Sequence, residues 1–362
     1  MKMLMKRNFV FFLWLVGAQN SWAVDFGVFG DISLKNTEVN NRLSENGFAL
    51  GGLDLFATQD VGPKTKALME FVFEDTGNGF VVDVERLWVR YAFNNALNLS
   101  MGRFHTPIGF WNRNYHHGSL IQDTVTRPFF LDFEDGAVGV LPVHAVGLKL
   151  AGQLNHGGNA FNYELLTGNS ALLDATQTNG VYDFSEIIVN NAIDSSSKKS
   201  LIIAFNYEYM PIGIDVGIFA MNQNYSRRLG GIVVESNYIN QFISGFYARY
   251  NIKRFYVLSE AFFMENKRKN PSVSNQSQAW YVQLGLRMTE NLSFIYRRDE
   301  LKADAQDPYF DILIGKNNIS NHTYRNVWTL RYNIDESNAI KLEFSDGNHE
   351  AETSLQWSFL LF

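Results

Sequence analysis

The residues of this sequence that can do chemistry are charged side chains set at every second position. Arg287 lies between Leu286 and Met288, Arg331 between Leu330 and Tyr332, and Lys341 and Glu343 alternate with Ile340, Leu342 and Phe344. Arg86, Arg90, Arg249, Arg297 and Arg325 follow the same spacing, together with Lys66, Lys149, Asp54, Glu70, Glu74, Glu164, Glu208 and Asp215. Rows of fixed charge of both signs order water and exchange hydrated solutes, which is the chemistry of an aqueous lining. The competing reading is a set of structural ion pairs that packs a narrow interior. No G-x-S-x-G, H-E-x-x-H or phosphate-loop motif offers a covalent alternative. Cysteine is absent, which removes thiol catalysis, disulfides and Cys-ligated metals. His105, His116, His117 and His144 gather in one region near Asp123, but without helical i/i+4 spacing or a Cys partner. Neither a metal site nor any other cofactor is expected.

The elements that must position these charges are strands, because only a period of two puts the charged and apolar sets on opposite faces. In Trp280–Met288 one face carries Trp280, Val282, Leu284 and Leu286, and the other carries Tyr281, Gln283 and Arg287. Sixteen such segments run from 24–34 to 353–362, with 181–189 and 232–238 as further candidates, so fourteen or eighteen strands are the alternatives. Many segments reach the roughly 9–11 residues of a tilted strand that spans a bilayer, beyond the roughly 5–6 usual in soluble proteins. The connections also alternate. Those at 59–63, 94–96, 155–158 and 334–337 are short, and those at 105–142, 169–199, 223–240 and 301–322 are long. This pattern predicts an all-β fold: one closed, transmembrane, antiparallel β-barrel over 24–362 with no second domain.

Composition agrees. Hydrophobic residues make up 46% of the 362 residues and charged residues only 19%, with 30 Phe, 16 Tyr and 7 Trp, so apolar surface must be hidden from water in some unusual way. No run approaches the ~20 apolar residues of a membrane-spanning helix. The net charge of -6 at pH 7 argues against a nucleic-acid partner. Residues 1–23 combine Lys2, Lys6 and Arg7 with an apolar run from Phe9 to Val16 and small residues at Ser21 and Ala23, the three zones of a secretory signal peptide.

The leader, the alternating strands and the terminal Phe362 together resemble a Gram-negative outer-membrane porin over essentially the whole chain. The segment Gly102–Asn112, GRFHTPIGFWN, is similar to a stretch in the superfamily that includes the phosphate-selective porins. Phosphate specificity is not expected, because those relatives line the pore with many basic residues and this chain is acidic overall. The resemblance implies a homotrimer in the bacterial outer membrane, contacts with outer-membrane lipids, passage of small solutes, and recognition of Phe362 by the barrel-assembly machinery. Phe362 falls out of register with the apolar set Leu355, Trp357, Phe359 and Leu361, so either a bulge precedes it or the signal is atypical.

The resemblance also makes 105–142 the constriction candidate, since the third external loop of trimeric porins folds into the lumen at this place. Trp111, Phe129, Phe130 and Phe133 are candidate anchors, and Arg113, Asp123, Arg127, Asp132, Glu134 and Asp135 are its charges. Arg287, Arg297, Arg325 and Arg331 share one wall, and an acidic loop facing them would create a transverse field. The expected function is therefore a water-filled channel for passive diffusion of small hydrophilic or charged solutes, with no enzymatic step. A conduit barrel around a partner and an outer-membrane hydrolase are the alternatives.

Overall fold

Alternating apolar and polar residues build one antiparallel sheet whose last strand pairs with its first. The computed structural model describes all residues except 1–23, 40–41, 76–78, 117, 132–139, 179–180, 189–197, 269–271, 308, 311–321 and 349. The leader assigned to 1–23 lies outside the described residues. The strands are β1 (Val24–Val39), β2 (Arg42–Gly62), β3 (Thr65–Asp75), β4 (Phe80–Asn94), β5 (Leu97–His105), β6 (His144–His156), β7 (Asn159–Gly168), β8 (Ala171–Thr178) and β9 (Val181–Ile188). They continue with β10 (Ser200–Tyr209), β11 (Ile214–Leu229), β12 (Ile232–Ile252), β13 (Phe255–Arg268), β14 (Val273–Arg287), β15 (Leu292–Lys302), β16 (His322–Asp335), β17 (Asn338–Gly347) and β18 (Glu350–Leu361).

Sixteen of these form the closed wall, and it passes directly from β7 to β10, where Asn159 pairs with Tyr209 and Gly168 with Ser200. Of the candidate 181–189, Val181–Ile188 is a strand, but it belongs to the β8–β9 hairpin, which lies outside the wall sequence. β8 runs parallel beside the far end of β11, from Ala171 opposite Tyr225 to Ala175 opposite Leu229. The expected long connection at 223–240 is corrected: β11 and β12 continue as strands and meet at Gly230-Gly231. Both glycines have positive φ, +54° and +84°, as the tightest hairpin turn requires.

Polarity is inverted relative to a soluble protein. On β17, Leu342 and Phe344 are 50% and 46% exposed, while Lys341 and Glu343 between them are buried. On β18, Leu355, Trp357 and Leu361 face outward, and Ser354, Gln356 and Ser358 are buried. An apolar exterior of this extent calls for a cover other than water. The largest core lies inside the barrel, where Ile108, Trp111 and Phe130 of the β5–β6 connection pack with Phe219, Phe262 and Tyr281 of the far wall. Trp111 meets Tyr281 edge-on at 5.9 Å, and Phe130 meets Phe262 at 5.7 Å.

β1 and β18 pair from Val28–Leu361 to Val39–Glu350 without a register shift, so no bulge precedes the terminal aromatic. Instead Phe362 takes φ +72°, and its ring lies 6.3 Å from that of Phe26. The backbone turn, not the strand register, sets the direction of that ring.

Candidate functional site

The chain between β5 and β6 leaves the wall, reaches the opposite side of the lumen and returns. Its two ends are tied together by Asn112, whose Nδ2 donates to the carbonyls of Thr106 and Val143 at 2.8 and 3.0 Å. The short helix Trp111–Asn114 that follows is held by Glu260 of β13. The Glu260 carboxylate accepts the N–H groups of Phe110 and Trp111 at 2.8 and 2.7 Å, and also the hydroxyl of Tyr281. These bonds lie inside a fully buried contact, where the low local dielectric strengthens each of them.

β15, β16 and β17 hold the next stretch of loop by its backbone. Arg297, fully buried, donates to Thr124 Oγ1 and to the carbonyl of Thr126, both at 2.7 Å, and pairs with Asp299 at 2.7 Å. Arg325 donates to the carbonyl of Arg127 and pairs with Asp299 at 3.1 Å. Arg331 donates to the carbonyls of Gln122 and Leu120 at 2.6 and 2.7 Å. Lys341 donates to the carbonyl of Ser119, while Glu343 accepts the N–H groups of Val125 and Thr126 at 2.6 and 2.9 Å.

This arrangement corrects the expected lining. Arg297, Lys341 and Glu343 lie beneath the loop and not against open water, because unpaired loop carbonyls and N–H groups in a dry contact need charged partners. Arg325 and Arg331 are part-buried in the same contact. Arg287, exposed at the end of β14, has no share in it. Among the described residues the acidic loop residue facing this wall is Asp123, which accepts from Tyr256 at 2.5 Å and lies 3.7 Å from Arg331. Asp132, Glu134 and Asp135, on which the transverse field was to depend, lie outside the described residues. Tyr115, buried in the loop, has its phenol pushed up to about 12, first by burial and then by the charge of Asp123, so it stays neutral.

Space between loop and wall remains along β4 to β7, and also beside Asp31, Asp54 and Gln356. A cavity of about 330 Å³ is lined by Arg86, Trp88, Arg90 and Lys149 from the wall and by Pro107 and Arg113 from the loop. Arg86 pairs with Glu70, while Arg113 and Lys149 share Glu164 at 2.9 and 3.1 Å. Arg90 lies over the ring of Trp88 at 5.6 Å, and Arg249 lies over Phe110 at 5.3 Å. Arg127 donates to the carbonyl of His116 at 3.2 Å.

Several residues central to this geometry were absent from the sequence-based candidates, Glu260, Asp299, Tyr256 and Glu85 among them. Glu260 was hidden because it shares a face with Leu258, Phe262 and Met264, a set that reads as a lipid-facing stripe yet is buried under the loop. Of the histidines, the fold brings His105, His116 and His144 together and leaves Asp123 elsewhere; His117 lies outside the described residues.

No family model matches the chain, and no curated protein does. Among solved structures it is similar to the anion-selective porin from Comamonas acidovorans, at 13% identity over 94% of this chain and 99% of that chain, with a TM-score of 0.60. It is also similar to the outer membrane channel DcaP of Acinetobacter baumannii, at 11% identity over 93% and 97% with a TM-score of 0.59. The trimer form of OmpT, an outer membrane protein of Vibrio cholerae, aligns at 8% identity over 94% and 100% with a TM-score of 0.56. The fold is therefore that of the outer-membrane porins.

Proposed function

We propose that this chain is an outer-membrane porin, a passive channel for small hydrophilic solutes with a preference for anions. The observation that carries the reading is the lumen itself: a closed barrel, apolar outside, whose interior is narrowed by a loop bonded to the far wall and left open beside Arg86, Arg90, Arg113 and Lys149. Charge at a constriction raises the local concentration of counter-ions and lowers that of co-ions, and four basic groups against Glu70 and Glu164 leave an excess of positive charge that favours anions there. Selection by width and lining charge needs no covalent step, so the protein acts without enzymatic chemistry.

The apolar belt supports a barrel seated in outer-membrane lipid, inserted there by the barrel-assembly machinery with Phe362 as part of the signal. A homotrimer is the assembly that the fold and the trimeric Vibrio neighbour support. The test is single-channel recording of the purified protein in a planar bilayer with a potassium chloride gradient. Discrete open steps with a reversal potential on the chloride side are expected. A barrel that passes no current would overturn the reading in favour of a plugged or partner-filled conduit.

A further inference from the structure

A second cluster of functional groups sits where the loop leaves the wall, and the channel reading makes no use of it. Glu85 of β4, His105 at the end of β5, His144 at the start of β6 and His116 of the loop each present one ligand atom, and these atoms all lie within 4.8 Å of one another. The three imidazole rings are in mutual contact, with centroids 4.2, 5.2 and 4.6 Å apart. Glu85 Oε2 lies 2.6 Å from His144 Nε2 and 4.0 Å from His116 Nε2. Arg103 Nη2 stands 3.8 Å from the same carboxylate.

Two local features prepare this constellation. A bulge in β4 sets Glu85 between two paired positions, Arg86 opposite Glu70 and Val84 opposite Phe71, and bulges re-aim side chains in this way. Asn112 fixes the tautomer of His116. Its Nδ2 donates to Thr106 and Val143, so its Oδ1 is the acceptor that faces His116 Nδ1 at 2.7 Å. The proton of His116 therefore lies on Nδ1, and Nε2 turns its lone pair toward the cluster. A ligating histidine is characteristically oriented by such a bond on its other nitrogen.

We propose that Glu85, His105, His116 and His144 form a structural site for zinc that clips the inward loop to the β4–β6 wall. Three imidazoles and one carboxylate suit a first-row divalent ion and not magnesium or calcium. Glu85, His116 and His144 are buried and His105 is half-buried, and a set of four protein ligands is the closed form of a zinc site. Zn–N bonds of about 2.0–2.1 Å put tetrahedral ligand atoms about 3.3 Å apart, so small side-chain rotations bring the set into range. Ligation requires neutral imidazoles and an ionised carboxylate, so binding releases any proton that the free set carries.

The test is independent of transport. The barrel, stripped with chelator and refolded in detergent, is titrated with zinc sulfate and desalted, and its metal content is measured. One equivalent per chain is expected, retained in His156→Gln and His322→Gln. His116→Gln and His144→Gln should weaken binding by more than the roughly 10–100-fold that loss of an outer-shell partner costs. Cobalt(II) added to the unsubstituted protein provides a readout that no folding defect can confuse: intense visible bands of a four-coordinate nitrogen-rich site are expected. The weak spectrum of hexa-aquo-like cobalt, or zinc content unchanged in the His116 and His144 variants, would overturn the proposal.

Discussion

Gly109 and Glu260 meet so closely that a Cβ added at position 109 would lie 2.1 Å from a Glu260 carboxylate oxygen. Gly109 also has φ +77°, a conformation that costs other residues about 1–3 kcal/mol. Gly109→Ala should therefore loosen the loop from β13, by at least about 2 kcal/mol when strain and contact act together. The urea midpoint of the detergent-solubilised barrel measures this, and an unchanged midpoint would show that the contact adapts freely.

Arg297 is the second anchor. Its replacement by alanine removes the bonds to Thr124 and Thr126 and leaves Asp299 dependent on Arg325 alone, a loss of about 3–5 kcal/mol for a broken buried pair. Lysine should rescue little, because a point charge cannot reproduce the fork that reaches both loop and carboxylate. In bilayer recordings, Arg297→Ala should give larger and noisier conductance steps than the parent; identical traces would mean that the loop is held without it.

The proposed anion preference rests on the β4–β7 cavity. Arg90→Glu combined with Arg113→Glu should move the reversal potential toward potassium, whereas Arg287→Glu, remote from the gap, should move it little. The shift should be larger in 0.1 M salt, where the Debye length is about 10 Å, than in 1 M, where it is about 3 Å. Equal shifts from both sets of substitutions would separate ion selection from the β4–β7 cavity.

Deleting part of 113–131 should raise conductance, since this stretch bridges from the β5–β6 side to Arg297, Arg331 and Lys341. Conductance unchanged by the deletion would place the narrowest point elsewhere.

Orientation is testable from the cell surface. Tags in 169–199 or 301–322 should be reachable on intact cells, and tags at the turns 62–65 or 335–338 should not. The opposite pattern would invert the assigned topology.

Much of the wall was legible from alternation alone, because a strand between lipid and water has one apolar face and one polar face. Tyr281, Gln283, Lys341 and Glu343 lie inside, as the periodicity of their strands indicates. Periodicity carries no information on what covers an inward face. Hence Arg297 and Lys341 read as lining although they bind the loop, and Glu260 vanished among apolar neighbours that also face inward. Glu85 was illegible for a different reason: its direction depends on a bulge that has no mark in the local sequence. The histidine cluster required a contact between the loop and three strands, and spacing along the chain says nothing about that.

The seam between β1 and β18 joins Val28 to Leu361 and Thr37 to Glu352. Residues this far apart in the chain carry a large loop-closure entropy before their first bond forms, and until they meet, both outer strands present unpaired backbone along their full length. A chain arranged this way cannot become native progressively from its N-terminus. The barrel cannot close until its last strand is available, and its most vulnerable surface until then is the same pair of edges that vanishes when the cylinder shuts.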